Sequence, residues 1–341
     1  MHTKKNPTGR FAVLMTGLLL VLLALFAVSF VLGRFNMPLW QVVRVLLSRV
    51  LPLEKTWTAS MEAVILNIRL PRILLAMMVG ACLSLAGAAY QSVFGNPMAA
   101  PDILGASSGA CFGAALAILL GLGKAGTTAL AFAASMLTVA LVFLIGRRTK
   151  GARAVGILLA GVMVSSLFSA GTSYLKLVAD PGDELPAITY WLMGSLSGAQ
   201  GSDVTFALIP MALGAVPLLL LRWRINLLTL GEDEALSMGV NTSRLRAVVI
   251  LCATLLTAAS VAASGMIGWV GLVIPHLGRK LAGSDGRRLL PVSAVMGAGF
   301  LLLVDNVSRN LMATEIPIGI LTAFVGAPFF IYLMTRKESV W

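Results

Sequence analysis

Ten apolar runs divide the chain. The first, residues 11–33, holds 23 residues without a charge. As a helix it measures about 34 Å at ~1.5 Å per residue, enough to cross the hydrocarbon of a bilayer. The others are predicted at 70–93, 105–121, 126–146, 154–177, 203–222, 244–264, 268–282, 288–310 and 317–335, the third and eighth short and interrupted by glycine. The longest polar stretch, about 34–69, carries an amphipathic segment around 39–51. Lys4, Lys5 and Arg10 precede the first run, as they would in a signal peptide. Signal h-regions are only about 7–15 residues long, so the run reads as a retained anchor. No soluble domain fits between the spans. Residues 1–341 therefore read as a single transmembrane domain, with a tail at 1–10 and a polar loop at about 223–243.

Composition agrees. Hydrophobic residues make up 58% of the chain and charged residues 12%, against roughly 45–50% and 25% in soluble domains. The fold class is thus an all-α polytopic membrane protein of about ten helices, which excludes soluble enzymes, nucleic-acid binders and secreted scaffolds. The net charge of +12 has a membrane explanation. With ten spans and both termini cytoplasmic, 17 of the 26 Lys and Arg residues fall on the cytoplasmic side, as the positive-inside rule requires.

Two stretches echo one another. Span two runs into a break containing Gly95, Asn96, Pro97, Pro101 and Gly105; span seven runs into one containing Gly271 and Pro275. The two lie five spans apart and so cross in opposite directions, the pattern of an inverted internal repeat. Backbone that leaves the helix at membrane depth must be satisfied by protein or by a water-filled cavity.

Chemistry is sparse. Cys82, Cys111 and Cys252 are far apart in apolar runs, and His2 and His276 are the only histidines, so neither a metal site nor a cofactor is expected. His276, beside Pro275, reads as structural. No G-x-x-x-x-G-K-[ST] occurs; Gly123-Lys124 is followed by Ala125. Intramembrane charge is rare, with Asp305 the clearest case, whereas gradient-driven carriers usually show several such groups. The energy source is therefore expected outside the chain. The loop Gly231-Glu-Asp-Glu-Ala-Leu-Ser-Met-Gly239 suits a short helix with acids at its positive end and a terminating glycine. Ser165, Ser169, Thr172 and Lys176 form a polar stripe along span five.

Arg69-Leu-Pro-Arg72, Gly95-Asn-Pro-Met-Ala99, Gly231-Glu232-x-x-Ala235-x-x-Met-Gly239, Gly271-Leu-Val-Ile-Pro-His276 and Glu315-Ile-Pro-Ile-Gly319 occur in this order. Together they resemble the iron–siderophore, haem and cobalamin permease family of ABC importers, over nearly the whole chain. Met238 stands where that family usually has Leu, a volume-conserving swap. The resemblance implies a type II importer permease in a bacterial inner membrane, homodimeric around a central path. It also implies two P-loop ATPase subunits carrying ATP-Mg on the cytoplasmic side and a substrate-binding protein docking outside. Gly231, Glu232, Glu234, Ala235 and Gly239 would form the ATPase-coupling helix. Arg69, Arg72 and Arg309 would meet acidic residues of the binding protein, although Arg309 also sits four residues after Asp305. The span-five stripe would line the path with span ten. The expected cargo is an iron(III)–siderophore complex, with haem or cobalamin as alternatives within the class and an ion-gradient-driven transporter as the alternative outside it.

Overall fold

The structure, a computed structural model, describes residues 7–33, 35, 37–148, 153–229 and 232–335. Its elements are helical: α1 (Pro7–Val31), α2 (Leu39–Leu47), α3 (Ala59–Ala63), α4 (Leu70–Phe94), α5 (Ala106–Leu119), α6 (Gly123–Gly146), α7 (Arg153–Val178) and α8 (Glu184–Leu192). They continue with α9 (Gly201–Leu220), α10 (Arg222–Leu227), α11 (Glu232–Ser237), α12 (Thr242–Ser264), α13 (Val270–Ala282), α14 (Gly286–Asn310) and α15 (Ile318–Thr335). Among the described residues seven helices are long and apolar enough to cross a membrane. The shorter α5, α13 and α15 occupy the remaining three positions expected from the apolar runs.

Helix α4 is the axis of the bundle, nearly continuously buried from Pro71 to Val93, with α12, α13 and α14 packed around it. Its start differs from expectation. A π-helical segment, Val64–Arg69, joins α3 to α4, so the helix is continuous from residue 59 to residue 94. Pro71 gives the physical reason: it has no N–H for the carbonyl of Asn67 and its ring crowds that carbonyl, so the turn widens. The amphipathic segment is α2, which buries Val42 and Val45.

Helix α1 lies on the periphery and is tied to α14. Asn306 Nδ2 donates to Ser29 Oγ at 2.7 Å. Alternate directions of the helices bring the ends of α6, α9 and α13 and the starts of α12 and α14 to one side, with α10 and α11. This basic face carries Arg147, Arg148, Arg222, Arg224, Arg244, Arg246, Arg279, Lys280, Arg287 and Arg288. Asn226 Oδ1 accepts the Gly286 N–H at 2.8 Å and stitches α10 to α14 there.

Candidate functional site: a cavity between broken helices

Helix α4 ends at Gly95, whose φ of +57° turns the chain out of the helix. Asn96 Oδ1 then accepts the Met98 N–H at 2.9 Å, Pro97 lies in that turn, and Pro101 opens a 3-10 turn that stops at Gly105, φ +75°. The first break is thus where the sequence places it. The second is not. Gly271 and Pro275 lie inside α13, and the chain leaves the helix at residues 265–269 instead.

Gly271 is needed for contact, not for a turn. A Cβ on it would lie 2.7 Å from the Leu83 carbonyl oxygen, and one on Gly87 would lie 1.8 Å from the Gly271 oxygen, so α4 and α13 touch backbone to backbone. Pro275 leaves the Gly271 carbonyl without its helical donor. Gln91 Nε2 donates to that oxygen at 3.4 Å, while Gln91 Oε1 accepts from the Arg279 guanidinium. Gln91, unremarked in the sequence, therefore couples the two helices. His276 faces Phe329 edge-on with ring centroids 6.3 Å apart.

Two further breaks meet the second one. Ser195 N–H donates to the Ser264 carbonyl at 2.8 Å, and Ile318 N–H to that of Gly194 at 2.9 Å. The ends of α8 and α12 and the start of α15 are so close that a Cβ on Gly194, Gly265 or Gly319 would come within 2.4 Å of a neighbouring carbonyl oxygen. Next to this crossing Trp269 has a φ of +70°, a conformation that costs a non-glycine residue about 1–3 kcal/mol. It is held by Gly326 and Phe330 of α15, the ring centroids 6.3 Å apart.

The breaks enclose a cavity of about 730 Å³, walled by α15, by residues 266–272 and by the Pro101–Asp102 turn. Its lining is chiefly apolar, including Met193, Trp269, Ile320 and Phe324, with polar contributions from Asp102, Ser107 and Thr257. That size and character suit a small-molecule site. Among the described residues no group of His, Cys, Asp or Glu could hold a metal ion. The Asp102 carboxylate is set deep among protein atoms, and that desolvation pushes it above the usual carboxylate range against the Ser107 hydrogen bond.

The span-five stripe splits. Thr172 is buried and its hydroxyl donates to the Phe168 carbonyl, Ser165 lies against Gly105, and Lys176 is half-buried. Ser169 alone of the four is exposed, in line with Ser166 and Ser173, whose hydroxyls return to the carbonyls of Val162 and Ser169. Around these serines the exposed face of α7 carries Met163, Leu167, Tyr174 and Leu177.

The three arginines are turned inward. Arg69 is 5% exposed and donates to the Phe30 and Phe35 carbonyls, capping the end of α1. Arg72 reaches Asp305 Oδ1 through Nε and Glu315 Oε1 through Nη1, both at 2.9 Å. Arg309 Nε lies 3.2 Å from Asp305 Oδ2, the i, i+4 pair that its spacing allowed, but out of hydrogen-bond alignment.

Gly231 lies outside the described residues, and Glu232 begins α11. Ala235 is fully buried, whereas Glu234 is exposed, as are Leu236 and Met238 at 52% and 54%. Gly239, at φ +78°, closes the helix: its N–H bonds the Leu236 carbonyl and the Val240 N–H bonds that of Ala235, a Schellman cap. Asn241 then caps α12 through the Arg244 N–H at 3.0 Å.

Known proteins resemble this chain in sequence and, in one case, in fold. A molybdate import permease of Haemophilus influenzae is 41% identical over 322 residues, 94% of this chain and 95% of its own. A hemin transport permease of Yersinia pestis is 37% identical over 337 residues, 96% of each chain. A solved metal-chelate type ABC transporter in an inward-facing conformation superposes with a TM-score of 0.84 at 40% identity, over 94% of this chain and 98% of that one. The model of the FecCD transport family matches residues 19–336, and the chain belongs to that family.

Proposed function

We propose that this chain is the permease of an ATP-driven importer that moves an iron(III)–siderophore complex into the cytoplasm. Family membership makes it a membrane permease of the metal-chelate class of ABC importers. The observation that carries the mechanism is α11. On the basic face a six-residue helix buries Ala235 against its own protein and turns Leu236, Met238 and Glu234 outward. Exposed apolar side chains beside an acid, on a face the bilayer does not cover, suit seating in a groove of a partner. The chain has no phosphate-binding loop of its own. The partner is then a pair of ATPase subunits carrying ATP-Mg, and the basic face with both termini is cytoplasmic.

In this reading the chain pairs with a second copy. The exposed faces of α7 and α15, with Ser166, Ser169 and Ser173 among Met163, Leu167 and Phe324, line the path between the copies. A weakly polar wall suits a large chelate that must pass without being held. Iron inside its chelator needs no protein ligand. The cavity offers an alternating-access path a waist where four chain breaks converge on α15. A substrate-binding protein docks on the opposite face. Arg69, Arg72 and Arg309 serve that docking by fixing the rim beneath it, since their guanidinium groups are engaged internally.

Affinity capture of the tagged permease from cells expressing its ATPase tests the coupling. The account expects the ATPase to co-purify, and expects Leu236→Asp with Met238→Asp to abolish this while the permease stays folded. Undiminished capture by that variant would remove α11 from the coupling role.

A further inference from the structure

One corner of the basic face is built around two consecutive arginines at the start of α14. Arg287 Cζ lies 5.9 Å from the centroid of the Trp223 ring on α10, and Arg288 Cζ lies 5.8 Å from that of the Phe11 ring on α1. Three elements therefore meet there. Helices α1 and α14 run parallel and touch again further along, where a Cβ on Gly299 would lie 3.7 Å from Leu25 and where Asn306 meets Ser29. The start of α10 lies beside that of α14, with the Arg222 carbonyl oxygen 3.4 Å from where a Cβ on Gly286 would stand. A cation attracted to a ring keeps its N–H groups for other acceptors. Among the described residues neither guanidinium has an ion pair. Asp285, the acid beside them, accepts the Arg287 backbone N–H at 2.9 Å and caps α14. Arg10 and Arg222 flank the corner, and both are exposed.

We propose that this corner binds an anionic glycerophospholipid, its phosphodiester received between Arg287 and Arg288 and one acyl chain lying along α1. Guanidinium forks hold phosphate oxygens bidentately, and basic pockets between spanning helices receive anionic headgroups. The corner sits where spanning helices leave the hydrocarbon, which is headgroup depth. Trp223, 43% exposed, is a residue type that concentrates at that depth. From Gly9 to Val28 no residue of α1 is buried, so the flank of this helix faces lipid. Val13 and Leu20, seven residues apart and so on one side of α1, carry exposed apolar surface inward from the Phe11 ring. Helix α11, the proposed ATPase contact, packs instead on α12. The assignment stands apart from the importer reading: it needs only that this face lie at one end of the spanning helices.

The test uses the full chain in phosphatidylcholine nanodiscs containing phosphatidylglycerol, one or the other lipid being brominated near its headgroup. Quenching at Trp223 is the difference between the chain and Trp223→Phe. Native mass spectrometry of the detergent-solubilised chain reads which lipid is retained. The expected result is stronger quenching by the anionic lipid at equal mole fraction, with its retention favoured on the order of tenfold. Arg287→Gln with Arg288→Gln should bring both ratios near unity. Arg147→Gln with Arg148→Gln, at the end of α6 on the same face, should leave them unchanged. If the first pair fails to fold, Arg287→Lys with Arg288→Lys replaces it, and retention should fall because the forks are lost while the charge is kept. Equal loss in both Gln pairs would reduce the effect to the general charge of the face and overturn the site. A ratio near unity in the unaltered chain would do the same, as would displacement of the lipid by inorganic phosphate at equal concentration. Loss of ATPase capture with lipid retention intact in the Arg287 and Arg288 variant would give the corner to the ATPase instead.

Discussion

Arg72 gives the sharpest energetic prediction. It bridges two carboxylates at 2.9 Å each, but the two differ: the Asp305 side chain is 0% exposed and that of Glu315 is 32% exposed. Removing one partner of a buried ion pair costs about 3–5 kcal/mol, because the other charge is left uncompensated. Here Arg309 stays beside Asp305, so Arg72→Met should fall at the low end, about 3 kcal/mol. For a chain of 341 residues that corresponds to a fall in melting temperature of roughly 4 °C. Double-mutant cycles then separate the partners. Arg72 should couple to Asp305 by about 2 kcal/mol or more, and to the solvated Glu315 by about 1 kcal/mol or less. The assay is thermal unfolding of the purified chain in detergent, with each single and double variant at one protein concentration. Equal coupling to the two acids, or a shift below about 2 °C for Arg72→Met, would refute the reasoning that burial sets the strength of this pair.

Other contacts give independent tests. Gly87→Ala puts a methyl into the Gly271 carbonyl and should cost about 3 kcal/mol, since backbone on both sides cannot yield; thermal unfolding reads it. Gln91→Leu strands the Gly271 carbonyl and the Arg279 guanidinium and should cost about 2 kcal/mol, with Gln91→Glu recovering only the Arg279 side, as measured by the same assay. Ser169→Leu adds apolar surface to an already exposed face of α7; melting temperature should hold while the uptake rate falls if that face lines the path. Thr172→Val, on the buried side of the same helix, should do the reverse.

Much of the fold was legible because a bilayer imposes its thickness directly on apolar run length. The ten spans match the observed helices to within a few residues except where a proline widened the turn before α4. Helix α8 was not legible: nine residues containing Pro186 make no span, and its place is set by contacts with residues 264–266 and 318–319. The second break was misplaced for a related reason. A sequence displays Gly271 but not its purpose, and the purpose is room for Gly87 on another helix. On α7 the serine spacing marks polar rows, yet which row faces outward depends on where the turn at residues 101–104 packs, so Ser165 and Thr172 turned in and Ser169 out. The acid start and Gly239 stop of α11 were visible because helix capping is local chemistry. Gln91 carried no local signal; its role exists only once α13 packs against α4.

The central claim is ATP-driven movement of a chelate, and uptake of radioiron-labelled siderophore into vesicles measures it most directly. The vesicles would hold this chain, its ATPase and its binding protein, with ATP-free controls and unlabelled haem, cobalamin and molybdate as competitors. The account predicts iron accumulation that requires ATP and survives all three competitors. Uptake of haem, cobalamin or molybdate in place of the iron chelate would contradict the cargo, and accumulation driven by an ion gradient without ATP would contradict the mechanism.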